Sequence, residues 1–138
     1  MRKWQGIVLC AATIFGVAVM ASEKPTEGLQ TAMKSNGATL QKLGKDVDAK
    51  DYDAIAADAA TFKKNFMGPV GAYFTDKKMD DGLDKCKAAY GASDDLEKAA
   101  KAKDEMKVAD ARKGLQAACG ACHTAHREKM PDGSFEVK

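Results

Sequence analysis

Prolines and aromatic residues are scarce in this chain, and β-branched residues are sparse. Only three prolines occur, Pro25, Pro69 and Pro131, and each lies where a helix would start or stop rather than inside one. With so little β-branched and aromatic material, nothing reads as a strand. There is no low-complexity linker and no clear repeat. An excess of one charge is also missing. The formal net charge is only +2, and acids and bases alternate along the chain as they do on solvated helix faces. Nucleic-acid binders usually carry a concentrated basic footprint, so this distribution argues against a nucleic-acid partner. No second acid-base constellation of a hydrolytic or transfer enzyme is present either, which argues against an enzyme.

The one long apolar run is at the start. Arg2 and Lys3 precede a stretch from Ile7 to Ala21 broken only by Thr13 and small residues, and Val19-Met20-Ala21 is a small-residue cleavage site before the polar Ser22-Glu23-Lys24. This is the pattern of a secretory signal, residues 1–21, removed on export. The run is shorter than the roughly 20 apolar residues that span a bilayer, so no stable membrane span is expected after cleavage. Removing residues 1–21 takes away two bases and no acid, which leaves 20 basic against 20 acidic residues in the 22–138 domain.

That domain reads as all-α. Leu29, Met33, Asn36/Gly37, Leu40, Leu43 and Val47 form one helical stripe over about 26–48. Ile55, Ala59, Phe62 and Phe66 form a second over about 52–67, stopped by Gly68-Pro69. Residues 68–80 read as a long connection. Leu83, Cys86, Tyr90, Ser93 and Leu96 give a third helix over about 81–102. Val108, Leu115, Cys119, Cys122 and His126 give a fourth over about 105–129, ended before Pro131-Asp132-Gly133. Four amphipathic segments with short connections predict an antiparallel four-helix bundle. Phe62, Phe66, Tyr73, Phe74 and Tyr90 are its expected apolar walls.

Cys119-Gly120-Ala121-Cys122-His123 carries the chemistry. Two cysteines, two spacers and an immediate histidine are the attachment pattern of a c-type haem. Two thiols add across two vinyl groups, and the histidine that follows presents an imidazole to the iron. On a helix the three residues fall at i, i+3 and i+4 and share a face. A thioredoxin-like dithiol would need a strand before Cys119, and none is legible there. A zinc site drawing on Cys119, Cys122, His123 and His126 would place four ligands in a row along one helix, a poor tetrahedron. Cys86 is left over in the exported domain. It would be a free thiol or half of an intermolecular bridge, or more simply a small buried hydrophobe.

The chain resembles the class II cytochromes c, the cytochrome c′ and cytochrome c-556 group. The haem motif near the end of the last helix, Cys119-x-x-Cys122-His123-x-x-His126-Arg127, matches the family ending, with His126 where an aromatic is usual. Ala102-Lys103-Asp104, the run into Gly114-Leu115, Ala117-Ala118-Cys119, and Tyr52-Asp53 also follow family spacing. Met33-Lys34-x-Asn36-Gly37 resembles the first-helix segment that holds a methionine iron ligand in c-556 members. Leu29 stands where c′ members often carry a basic residue, and the tryptophan common early in the third helix is missing. The resemblance implies a four-helix bundle with one covalent haem c near the C-terminal helix, Cys119 and Cys122 as its anchors, His123 as proximal iron ligand and Met33 as sixth ligand. Read from the residues alone, Met33 is first of all a core methionine on an apolar stripe. Arg127, one turn past His123, is a candidate neighbour of the proximal face or a propionate, or simply a cation at a helix end. The implied role is periplasmic electron transport between redox partner proteins, by a monomer or homodimer. The alternative is a five-coordinate cytochrome c′ that binds nitric oxide or carbon monoxide.

Overall fold

The structure is a computed structural model that describes residues 21–138. The expected signal segment therefore lies, apart from Ala21, outside the described residues. The elements are α1 (Glu27–Ala49), α2 (Tyr52–Asn65), α3 (Gly71–Asp76), α4 (Asp80–Lys101), α5 (Glu105–His126), β1 (Arg127–Lys129) and β2 (Phe135–Val137). Three helices start on a side-chain cap that satisfies an orphan backbone donor. Thr26 Oγ1 accepts from the Leu29 N–H at 3.3 Å, Asp51 from Ala54 at 3.0 Å and Asp104 from Lys107 at 3.1 Å. α4 has no such cap. Its first turn holds Asp80 and Asp81 and its last turn Lys98 and Lys101, which suits the helix dipole.

Four long helices pack into a bundle. α4 lies along both α5 and α2, and α1 lies along α2. Neighbours run antiparallel, and specific contacts fix their register. Asn36 meets Asn65 across α1 and α2 at 2.7 Å. Lys63 pairs with Asp94 and Glu97 across α2 and α4. Asp81 meets His126 across α4 and α5 at 2.8 Å. α1 and α5 have little direct backbone approach, yet their far ends are joined by the Lys50–Glu105 pair at 2.8 Å. Leu43, Leu96 and Leu115 are fully excluded from solvent, and Phe62, Ile55 and Val70 lie beside them in the core.

Two expectations need correction. Residues 68–80 are not a long open connection. α2 continues through a π-helical turn, Phe66–Val70, into α3. Gly68 leaves helical geometry there (φ −89°, ψ −115°), and Pro69 has no N–H to give to the ladder. Burial of Val70, Tyr73 and Phe74 draws the chain back into a helix against α4. The fourth helix does not reach 129. It ends at His126, and Arg127–Lys129 pairs antiparallel with Phe135–Val137 around a turn through Gly133 (φ 86°). Glu23 joins this hairpin in an isolated bridge to Val137, with both N–H···O bonds at 2.8 Å.

Candidate functional site in the cleft between α1 and α5

Helical geometry places the motif. α5 carries Cys119, Cys122 and His123 in its last two turns, and the buried Leu115 and Val108 beneath them hold this face toward the bundle. Cys119 and Cys122 are half-buried, unpaired and packed against the core. Burial raises the pKa of both thiols. Cys122 adds to the effect at Cys119, while at Cys122 the Lys85 charge works against it. Both are therefore protonated at neutral pH. A redox-active dithiol carries the opposite, a lowered thiol pKa. Among the described residues, no three histidine, cysteine or acidic side chains converge as ligands for a bare metal ion.

Cys86 is buried on α4. Burial, with Cys122 nearby, pushes its thiol up to about 12. It behaves as the small buried hydrophobe expected from its place on the stripe.

Helix spacing puts Met33 of α1 and His123 of α5 at one level along the gap between the two helices. Arg112 of α5 reaches α1, where its Nη2 lies 3.4 Å from the position a β-carbon on Gly44 would take. From that contact Met33 is 11 residues back along α1 and His123 is 11 residues forward along α5. The two helices are antiparallel, so each step covers about 16 Å in the same direction and nearly three whole turns. Met33 therefore returns to the face and the level of His123. Between them, Gly37 falls level with Cys119, and a β-carbon there would touch nothing within 4 Å. Arg112 thus bridges α1 and α5 at Gly44, while no side chain approaches Gly37 at the level of the motif. Met33 is half-buried and packs on the core. His123 is exposed at its surface. Protein crowding one side of the ring, with the Arg127 charge adding to it, still lowers the imidazole pKa below its ordinary value. The ring is thus neutral at pH 7, the form that binds a metal.

Other candidates sit elsewhere. His126 is clamped away from the cleft. Its Nε2 meets Asp81 at 2.8 Å and its ring rests 5.2 Å from that of Phe74. The Arg127 guanidinium lies 3.4 Å above the Phe135 ring. Of the expected walls, Phe62, Phe66, Tyr73 and Phe74 are buried and Tyr90 is half-buried. Two surface depressions, one beside Ala99 and Gly114 and one beside Gly28 and Pro69, lie away from the motif. Arg112 escaped the sequence reading. Its signal was available, since it interrupts the apolar stripe between Val108 and Leu115 and stands seven residues before Cys119.

Comparison with known family models and with curated protein sequences finds no match to this chain. The chain is shown to be a four-helix all-α domain by its own packing. Its residues fit a c-type haem. Two protonated thiols and a neutral imidazole share one helix face, the Met33 thioether lies at their level on α1 by helix spacing, and a β-carbon at Gly37 would meet nothing.

Proposed function

We propose that this protein is an exported monohaem c-type cytochrome of the class II, c-556 kind, carrying electrons between redox partner proteins in the periplasm. The reading is supported by the Cys119, Cys122 and His123 motif on the last turns of α5, with helix spacing putting Met33 of α1 at its level. When bound, the haem supplies a one-electron Fe(III)/Fe(II) couple. Cys119 and Cys122 hold it through thioether bonds. His123 gives its neutral imidazole from α5 and Met33 its thioether from α1. Histidine and methionine together raise the reduction potential of a haem. With His123 and Met33 both holding the iron, no position for a substrate would be left there, and the role would be transfer rather than catalysis. Leu40 of α1 and Ala118 of α5 add half-buried apolar groups packed on the core.

Optical spectra of the purified protein test this reading. Covalent haem is expected to stay with the chain in acidified organic solvent, and Cys119→Ala with Cys122→Ala to release it. Wild type is expected to be low-spin in both oxidation states, with a weak sulfur-to-iron band in the near infrared. Met33→Ala should lose that band, bind carbon monoxide when reduced and drop in potential. A wild-type protein that is already high-spin and takes up carbon monoxide freely would make Met33 a core methionine, and the five-coordinate cytochrome c′ role would replace this one. Freely extractable haem would end both.

A further inference from the structure

Arg112 is the charged group that the proposed site leaves without a purpose. It lies on the apolar face of α5 between the buried Val108 and Leu115. Its Nε is buried without a hydrogen-bond partner, and no ion pair of Arg112 is found among the described residues. Arg112 as a whole is half-buried, and a buried N–H without a partner is costly. Several carboxylates of α1, α2 and α5 are engaged by lysines. Asp46 and Asp58 share Lys42, Glu105 holds Lys50, and Asp110 faces Lys113 at 3.8 Å. Arg112 is thus left free to meet an anion from outside the polypeptide. Its position says where. Arg112 stands two turns from Cys119 on the same face of α5 and spans the gap to Gly44 at the closed end of the cleft.

We infer that Arg112 is an anion-binding residue of the α1–α5 cleft that takes a carboxylate, namely a propionate of the haem anchored by Cys119 and Cys122. The inference rests on the haem reading above. A guanidinium offers paired N–H donors in the geometry of a carboxylate. Arg127, the propionate candidate from the sequence, is already placed over Phe135. A solvent anion such as phosphate presents the same chemistry to Arg112 and is the other source to be separated.

The test compares haem-loaded wild type, Arg112→Leu, Arg112→Gln and Arg112→Lys. Loss of the guanidinium leaves the propionate charge uncompensated, which favours Fe(III). The midpoint potential is therefore expected to fall in the Leu and Gln variants and to recover most of the way in Lys. The Leu variant is also expected to melt roughly 3–6 °C below wild type. In a Cys119→Ala/Cys122→Ala background, without haem, the same substitution should leave the melting temperature unchanged or raise it. Potentials equal to wild type in both Leu and Gln variants would overturn the proposal and make Arg112 a spacer. The potential decides alone if the haem-free background does not fold. Were wild type to carry no haem, the cofactor reading would fail first, and heat unfolding in a phosphate titration would then judge Arg112. Stabilisation of wild type but not of Arg112→Leu would keep the anion site and overturn the propionate as its source. Stabilisation of neither would end the proposal.

Discussion

Leu115 lies one turn before Cys119 and has no solvent exposure, so the helix that bears the motif is seated by a side chain the core surrounds. Leu115→Ala is expected to cost about 2–5 kcal/mol, the usual range for a cavity left by leucine in a packed interior, read from urea unfolding. Charge acts at the same scale. Hydrogen bonds from Lys63 and then Lys98 lower the Asp94 carboxyl to about 2. A carboxyl held lower in the folded than in the unfolded chain contributes stability that is complete above its unfolded pKa and lost as pH falls through the folded one. Asp94 should therefore leave stability untouched at pH 5 and above and erode it as pH falls from near 4 toward 2. Asp94→Asn should flatten that acid limb, seen in urea midpoints across the range. Asp58 runs the other way. Its burial raises the carboxyl pKa despite Lys42, so its ionised form opposes folding at neutral pH.

At the scale of the element, two glycines of α4 make opposite predictions. A β-carbon on Gly82 would come 2.1 Å from Cδ1 of the buried Phe74 ring, so the α3–α4 contact closes only over a bare backbone. Gly82→Ala is expected to destabilise by about 1–3 kcal/mol, as overpacking does. Gly91 has open space around its β position, and Gly91→Ala should stabilise by roughly 0.5–1 kcal/mol through better helix propensity. Thermal melts followed by circular dichroism separate the two. These elements also mark what was legible in the sequence. The 3.6-residue stripes located the four long helices within a few residues, because each has a face to bury. α3 was hidden, since Gly68-Pro69 signals a stop and six residues are too few to display a period. The C-terminal hairpin was hidden for another reason. Its two strands have three residues each, and Glu23, the residue that completes the pairing, is more than a hundred positions away. Within the site, the motif on α5 was legible from spacing alone. Arg112 left a signal there as a base on the apolar stripe, but that signal acquires meaning only when the side chain is seen to reach α1.

On the scale of the whole molecule, α1 and α5 meet mainly at their ends. Lys50–Glu105 and Arg112 against Gly44 close one end. The other is held by the terminal clasp, in which Ser22 donates to Glu136 at 2.6 Å and Glu23 pairs with Val137. The hairpin also reaches back to α5, with Arg127 over Phe135. Removing residues 130–138 would strip the clasp and that stack while leaving every buried core side chain in place. The truncated protein is therefore expected to keep its helical circular dichroism but to melt several degrees lower, at roughly 3–6 °C per kcal/mol lost in a domain of this size. Amide exchange should accelerate at residues 22–29 and in the last turn of α5, and stay slow at Leu43, Leu96 and Leu115. Loss of protection throughout the bundle would mean that the clasp is part of the cooperative core rather than a tie across the mouth of the cleft. Protection unchanged even at residues 22–29 would mean that it ties nothing.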